Sequence, residues 1–103
     1  MVVLPQPTAF EWDAGNAEKN YRVHNVGWAE CEEVFFSEQK LLFNCALHLA
    51  NEERYILLGE TKEERKLFIV FTFRKHQIRV ISARDLNKKE RKLYEQAIKN
   101  SQI

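Results

Sequence analysis

Three short apolar runs, Arg54–Leu58, Leu67–Phe73 and Ile78–Ala83, follow one another between Glu52 and Leu86 with polar segments between them. They are rich in Ile, Val, Phe, Tyr and Thr and too short for ordinary helices, so they are predicted to be strands. Consecutive strands with short links fold most simply as an antiparallel meander, its turns at Gly59–Glu64 and Arg74–Gln77. Leu67–Phe73 is apolar on both parities, which predicts a central strand covered on both faces. In the last run Ile78, Val80, Ser82 and Arg84 alternate with Arg79, Ile81 and Ala83. Strict alternation sends Arg79 and Arg84 to opposite faces unless a bulge or the strand end intervenes.

Upstream the pattern is mixed. Met1–Pro7 carries both prolines and no periodicity, and reads as a frayed lead-in. Thr8–Trp12 is predicted as an edge strand with Phe10 and Trp12 on one face. Asp13 stands where an N-cap belongs, ahead of a helix from Ala14 to about His24 with Ala14, Ala17, Tyr21 and His24 inward. Asn25 and Gly27 supply its stop signals. A second helix places Trp28, Cys31, Val34 and Phe35 inward and Glu30, Glu32 and Glu33 toward water. Ser37–Glu53 stays open: Leu41–Phe43 suits a strand, and Cys45–Ala50 a helix or a loop. Asn87 through Glu90 resembles a capping box opening a last helix. Its apolar stripe is Leu93, Tyr94, Ala97 and Ile98, and at about 3.6 residues per turn Lys88, Lys92 and Lys99 collect on the other side. The layout is β-α-α followed by β-β-β-α. It predicts one α+β domain over residues 1–103: an N-terminal edge strand plus a three-stranded meander, mainly antiparallel, flanked by two N-terminal helices and one C-terminal helix.

Composition changes this picture little. A chain of 103 residues, 45% hydrophobic and 30% charged, is an ordinary soluble globular composition. No run approaches the roughly 18 apolar residues of a membrane span, and the first residues lack the pattern of a signal peptide, so a cytoplasmic protein with no membrane partner is expected. Cys31 and Cys45 have neither zinc-site spacing nor the density of a disulfide scaffold, and read as reduced, buried thiols. No metal or cofactor is expected. Charge matters more. Residues 1–61 hold 4 Lys+Arg against 10 Asp+Glu, and residues 62–103 hold 12 against 5, so the net +1 conceals a basic second half. That asymmetry suits a nucleic-acid or acidic-protein partner as well as a domain whose charges mix in space.

Several segments, in order, resemble the BrnT family of bacterial toxins, RelE-like ribonucleases of type II toxin–antitoxin systems. Phe10-Glu-Trp-Asp13 leads into a helix carrying Asn20, and a second helix ends in Val34-Phe35. Glu52-Glu-Arg-Tyr55, Gly59, Val70-Phe-Thr72, Ile78-Arg-Val-Ile-Ser-Ala-Arg84, Glu90-Arg91 and Tyr94 resemble the second half, so the likeness spans about residues 10–95. Asn16 stands where the family usually has Lys, Val23-His24-Asn25 where it has Lys-His-Gly, and Ala14 where it has Pro. The resemblance implies a compact RelE-like sheet with flanking helices and metal-free RNA cleavage. It also implies a BrnA-like antitoxin whose ribbon-helix-helix domain binds DNA, a heterotetramer formed through the antitoxin dimer, and DNA contact only through that antitoxin.

Metal-free RNA cleavage needs a base for the ribose 2′-hydroxyl, cations for the charge gathering on phosphorus, and an acid for the leaving oxygen. Arg65, Arg74, Arg79 and Arg84 suit the cationic role, since a guanidinium grips two phosphate oxygens. The structural alternative for each is a partner for a nearby Glu or Asp. Among His24, His48, His76, Tyr94 and Glu53, His48 ranks first for proton transfer, because it corresponds to a His ahead of the family's Glu-Glu-Arg segment. The expected catalytic set is therefore Arg74, Arg79, Arg84, His48 and Glu53, with Arg65, Lys88, Lys92 and Tyr94 contacting RNA. Trp12, Trp28 and Phe68–Phe73 read as core. Two other readings fit the chain: an inactive interaction domain serving an antitoxin as co-repressor, and a nucleic-acid-binding module using the Lys88–Lys99 ridge.

Overall fold

The apolar runs form the strands that their β-branched and aromatic content demands. A computed structural model describes residues 9–44 and 53–101. Within it β1 (Ala9–Phe10) and β2 (Leu41–Asn44) precede the meander of β3 (Tyr55–Glu60), β4 (Lys66–Arg74) and β5 (Gln77–Asp85). A π-helical turn, Ala14–Glu18, runs directly into α1 (Lys19–His24); α2 (Trp28–Phe36) follows, and α3 (Lys88–Ser101) closes the chain. The strand order is β1-β5-β4-β3-β2. Leu67–Phe73 is central, as its two apolar parities require. Met1–Pro7, Cys45 and His48 lie outside the described residues.

Two features correct the expected sheet. It has five strands, because Leu41–Asn44 pairs antiparallel with β3. It is also mixed, because β1 runs parallel to β5 with Phe10 opposite Ile78. Alternation identifies a strand but not its direction against a neighbour joined to it by two helices. A hairpin fixes direction through its turn, and β1 has no such turn.

One face of the sheet packs on the helices. Leu57, Leu67, Ile69, Phe71, Ile78, Val80 and Ala83 form a buried cluster with Val26, Cys31, Val34 and Phe35. Gly59 allows this approach, since a Cβ there would stand 2.7 Å from Val34 Cγ1. On the other face Leu58, Leu86 and Tyr94 pack with Leu41, Ile56, Phe68 and Ile98, so α3 covers the β2–β3 side.

Several inward assignments shift. Tyr21 is 62% exposed, and the buried residues of the first helical segment are Asn16 and Asn20. Trp28 sits at the first turn of α2 and is exposed, as is Leu93, because Tyr94 and Ile98, four apart, set the buried edge of α3. The α2 carboxylates are half-buried and engaged: Glu32 accepts from Trp12 Nε1 at 2.8 Å, and Glu33 from the Lys62 amide at 2.9 Å.

Candidate functional site

The last strand carries the decisive irregularity. Phe71 pairs with Val80 but Val70 pairs with Ser82, so Ile81 is an extra residue in β5. A one-residue bulge resets alternation. Thr72 faces Arg79, Val70 faces Ser82 and Phe68 faces Arg84, which puts Arg79, Ser82 and Arg84 on a single face, the one opposite α2. Arg74, opposite Gln77 at the hairpin end of β4, has the same parity as Thr72 and joins them. Four strand steps from Thr72 to Phe68, at about 3.3 Å each, separate the backbones at Arg79 and Arg84 by roughly 13 Å.

Two buried amides hold the bulge. Beyond Phe10 there is no β1 to pair with the outer edge of β5, and the first helical segment takes over. Asn16 Nδ2 donates to the Glu11 and Val80 carbonyls at 2.9 and 3.0 Å. Asn20 Oδ1 accepts from the Ala83 amide at 3.1 Å, and its Nδ2 donates to the Asn16 carbonyl at 2.8 Å. The two side chains thus bracket Ile81 and Ser82. The segment starts there because Asp13, extended at φ −150°, accepts from the Gly15 amide at 2.8 Å while Asn16 Oδ1 accepts from the Asp13 amide at 2.8 Å. Such reciprocal caps satisfy amides that a helix start leaves open.

Each of the two β5 arginines meets carboxylates. Arg79 Nη1 lies 2.8 Å from Glu11 Oε1 and 2.9 Å from Asp13 Oδ2, with Nη2 3.2 Å from Asp13 Oδ1. The Arg79 hydrogen bonds hold the Asp13 carboxyl below the usual carboxylate range. Arg84 forms a fork on Glu90 at 2.7 and 2.9 Å and lies over the Phe68 ring, 4.1 Å from its centroid. Glu90 also accepts from the Asn87 amide at 2.9 Å, completing the capping box expected at the start of α3, and Arg84 lowers its pKa. The chemical content is a pair of guanidiniums held rigidly on one sheet face. One is shared by two acids, the other by one.

The remaining candidates scatter. Arg65 is a structural tie, not a partner of Arg79: it donates to Asp85 at 2.7 and 3.1 Å, to Glu30 at 3.0 and 3.1 Å and to the Asn25 carbonyl at 2.8 Å. These groups bind the helix side of the sheet, so Arg65 joins α1, α2 and β5 there. Tyr94, expected at the RNA, is in the core with its hydroxyl donating to the Gln39 carbonyl at 2.6 Å, and burial pushes that hydroxyl up to about 12. The Glu53 carboxylate accepts from the Tyr55 hydroxyl at 3.0 Å, and its carbonyl accepts from Thr72 Oγ1 at 2.6 Å. Lys88 and Lys92 are exposed on α3. Burial raises the Cys31 thiol to about 12, consistent with an inert core thiol. Among the described residues no group of three or more His, Cys, Asp or Glu is placed to hold a metal ion, and no helix is long and apolar enough to cross a membrane.

Sequence reasoning missed Glu11, Asn16 and Asn20. Glu11 was detectable, since its parity is opposite to that of Phe10 and Trp12 and so puts it on the face that Arg79 shares. The asparagines four apart are visible in the sequence, Asn20 within the family resemblance and Asn16 as a departure from it, but neither receives a role there because polar residues on a helix are normally assigned to water.

The model of the family "Ribonuclease toxin, BrnT, of type II toxin-antitoxin system" matches residues 12–90. The chain belongs to the BrnT family. The match takes in the bulge, Asp13, Arg79, Arg84 and Glu90, and ends before Lys92 and Tyr94. The 1.1 Å crystal structure of the Brucella abortus ribonuclease toxin BrnT has the same fold, with a TM-score of 0.57 at 19% identity over 78% of this chain and 97% of that one. No curated protein matches the sequence significantly. The chain therefore belongs to a family of ribonuclease toxins of type II toxin–antitoxin systems, and that membership implies an antitoxin partner.

Proposed function

We propose that this BrnT-family chain cleaves single-stranded RNA internally without a metal ion, and that an antitoxin of BrnA type silences it. The observation that carries the reading is the β5 bulge, which brings Arg74, Arg79 and Arg84 to one sheet face. At about 13 Å apart along the strand, Arg79 and Arg84 suit two separate phosphates of one extended strand better than a single phosphate. Their forks grip phosphate oxygens bidentately and neutralise the charge that develops on phosphorus. RNA phosphates displace the carboxylates that hold these arginines in the free protein. The reading includes a RelE-like relationship, a cytoplasmic location, residues 1–103 as one unit, and assembly with a dimeric ribbon-helix-helix antitoxin that alone touches DNA.

The test is cleavage of an RNA oligonucleotide by antitoxin-free protein in the presence of EDTA. Cleavage should persist in the chelator, and Arg79→Ala and Arg84→Ala should each lower kcat/KM by about a hundredfold or more. Cleavage that needs added Mg²⁺, or a double arginine variant as active as the parent, would overturn the reading. The carboxylate partners of both arginines favour a second reading, an inactive partner of the antitoxin. Growth arrest on expression alone, lost in the arginine variants, would exclude it.

A further inference from the structure

An arginine face alone cannot start the reaction, because the ribose 2′-hydroxyl must lose a proton to attack phosphorus. The groups expected to take that proton are badly placed among the described residues. His24 ends α1, His76 sits in the hairpin turn, Tyr94 is buried, and the Glu53 carboxylate is hydrogen-bonded to Tyr55. Two carboxylates do reach the arginine face at Arg79, and they differ. Asp13 is fixed by the helix start: it accepts from Gly15, engages both Arg79 nitrogens and is held below the ordinary carboxylate range, which makes it a poor proton acceptor. Glu11 has no capping duty. Its backbone is held on two sides, its amide donating to the Ile78 carbonyl at 2.7 Å and its carbonyl accepting from Asn16 Nδ2 at 2.9 Å. Its carboxylate is only 33% exposed and meets Arg79 Nη1 at 2.8 Å. Glu11 and Arg79 therefore stand in direct contact on the face that the ribonuclease reading gives to RNA.

We propose that Glu11 is the general base, removing the proton of the 2′-hydroxyl while Arg79 holds the scissile phosphate. This assignment rests on the ribonuclease reading above. The O2′–H bond breaks and its proton passes to Glu11. O2′ bonds to phosphorus and the P–O5′ bond breaks, its electron pair leaving with O5′, which takes a proton from water. The products are a 2′,3′-cyclic phosphate and a free 5′-hydroxyl, and Glu11 returns its proton to solvent. Among the described residues, the charged groups at the site of transfer are Arg79 from β5 and Asp13, which shares that guanidinium, with Arg74 on the same face at the end of β4.

The experiment compares wild type, Glu11→Gln, Glu11→Asp, Asp13→Asn and His48→Ala on a single-stranded RNA oligonucleotide across pH. Binding is measured separately on the same oligonucleotide with 2′-deoxyribose throughout. Glu11→Gln keeps shape and an oxygen for Arg79, so binding should hold within about threefold or tighten, while kcat falls about 10²–10⁴-fold. The acidic limb of the pH–rate profile, where protonation silences the base, should disappear with it. Glu11→Asp should restore part of the rate and the limb, and Asp13→Asn should keep the limb. An unchanged limb in Glu11→Gln, or its transfer to His48→Ala, overturns the assignment while leaving the ribonuclease reading intact. A wild-type protein that cuts no RNA overturns both.

Discussion

Replacing Asn20 by Ala tests whether the first helical segment holds the β5 bulge. Asn20 is 2% exposed, and its amide makes two hydrogen bonds, to the Asn16 carbonyl and from the Ala83 amide. Alanine leaves the Ala83 amide buried and unpaired, at a cost of about 1–3 kcal/mol, and removes the bond to Asn16, worth about 0.5–1.5 kcal/mol more. A loss of about 2–4 kcal/mol is therefore expected, against the roughly 5–15 kcal/mol that stabilises an ordinary domain. Urea unfolding measures the sum. Native-state amide exchange locates it, because protection at Ala83 should fall more than at Ile69, its partner across β4. A change below about 0.5 kcal/mol, or exchange that rises uniformly across the sheet, would refute the clamp.

The hairpin and the acids give two further expectations. Lys75 and His76 form the two-residue turn between β4 and β5 with φ of 50° and 66°, a backbone that favours Asn-Gly. Lys75→Asn with His76→Gly should stabilise the protein by about 1–2 kcal/mol in urea unfolding, and no gain would show that the turn is not strained. Asp13, Asp85 and Glu90 have folded pKa values lowered mainly by Arg79, Arg65 and Arg84 respectively. Their stabilising contribution is therefore present above the unfolded values, about 3.9 for Asp and 4.3 for Glu, and is lost as pH falls through the lower folded values. Urea midpoints should drop from about pH 4 downward, and a flat profile would contradict these pairings.

The meander was legible because strand composition and the doubly apolar Leu67–Phe73 depend on local pattern alone. The two caps at Asp13 and Asn87 were legible for the same reason. What escaped depends on groups far apart in sequence. The Ile81 bulge is invisible in β5 itself, since Ile78-Arg-Val-Ile-Ser-Ala-Arg84 reads as regular alternation until the helix amides that hold it are known. The carboxylates on Arg79 lie 68 and 66 residues away in sequence, beyond any spacing rule. The network around Arg65 was hidden for a related reason: its guanidinium donates to Glu30, Asp85 and the His24 and Asn25 carbonyls, groups that cannot be read from one strand.

The chain departs from the family pattern at Ala14, Asn16, Val23 and Asn25, and two of these four positions have local explanations. Asn16 accepts the Asp13 and Ala17 amides at 2.8 and 3.0 Å while donating to two carbonyls. A lysine has donors only, so it makes none of the accepting bonds, and a buried ammonium there adds a desolvation cost. Position 16 in this chain therefore serves the clamp and not the chemistry. Asn25, where the family has Gly, ends α1 at φ 56°, in the left-handed region that asparagine tolerates best after glycine. Its substitution preserves the backbone path that delivers the Asn25 carbonyl to Arg65. Val23, 59% exposed on α1, and the exposed Ala14 have no such account. Neither explained departure bonds the side chain of Arg79, Arg84 or Glu11, and Asn16 instead fixes the Glu11 backbone through its carbonyl, so these two changes leave the charged side chains of the face in place, and the ribonuclease reading is stronger than the inactive-partner reading.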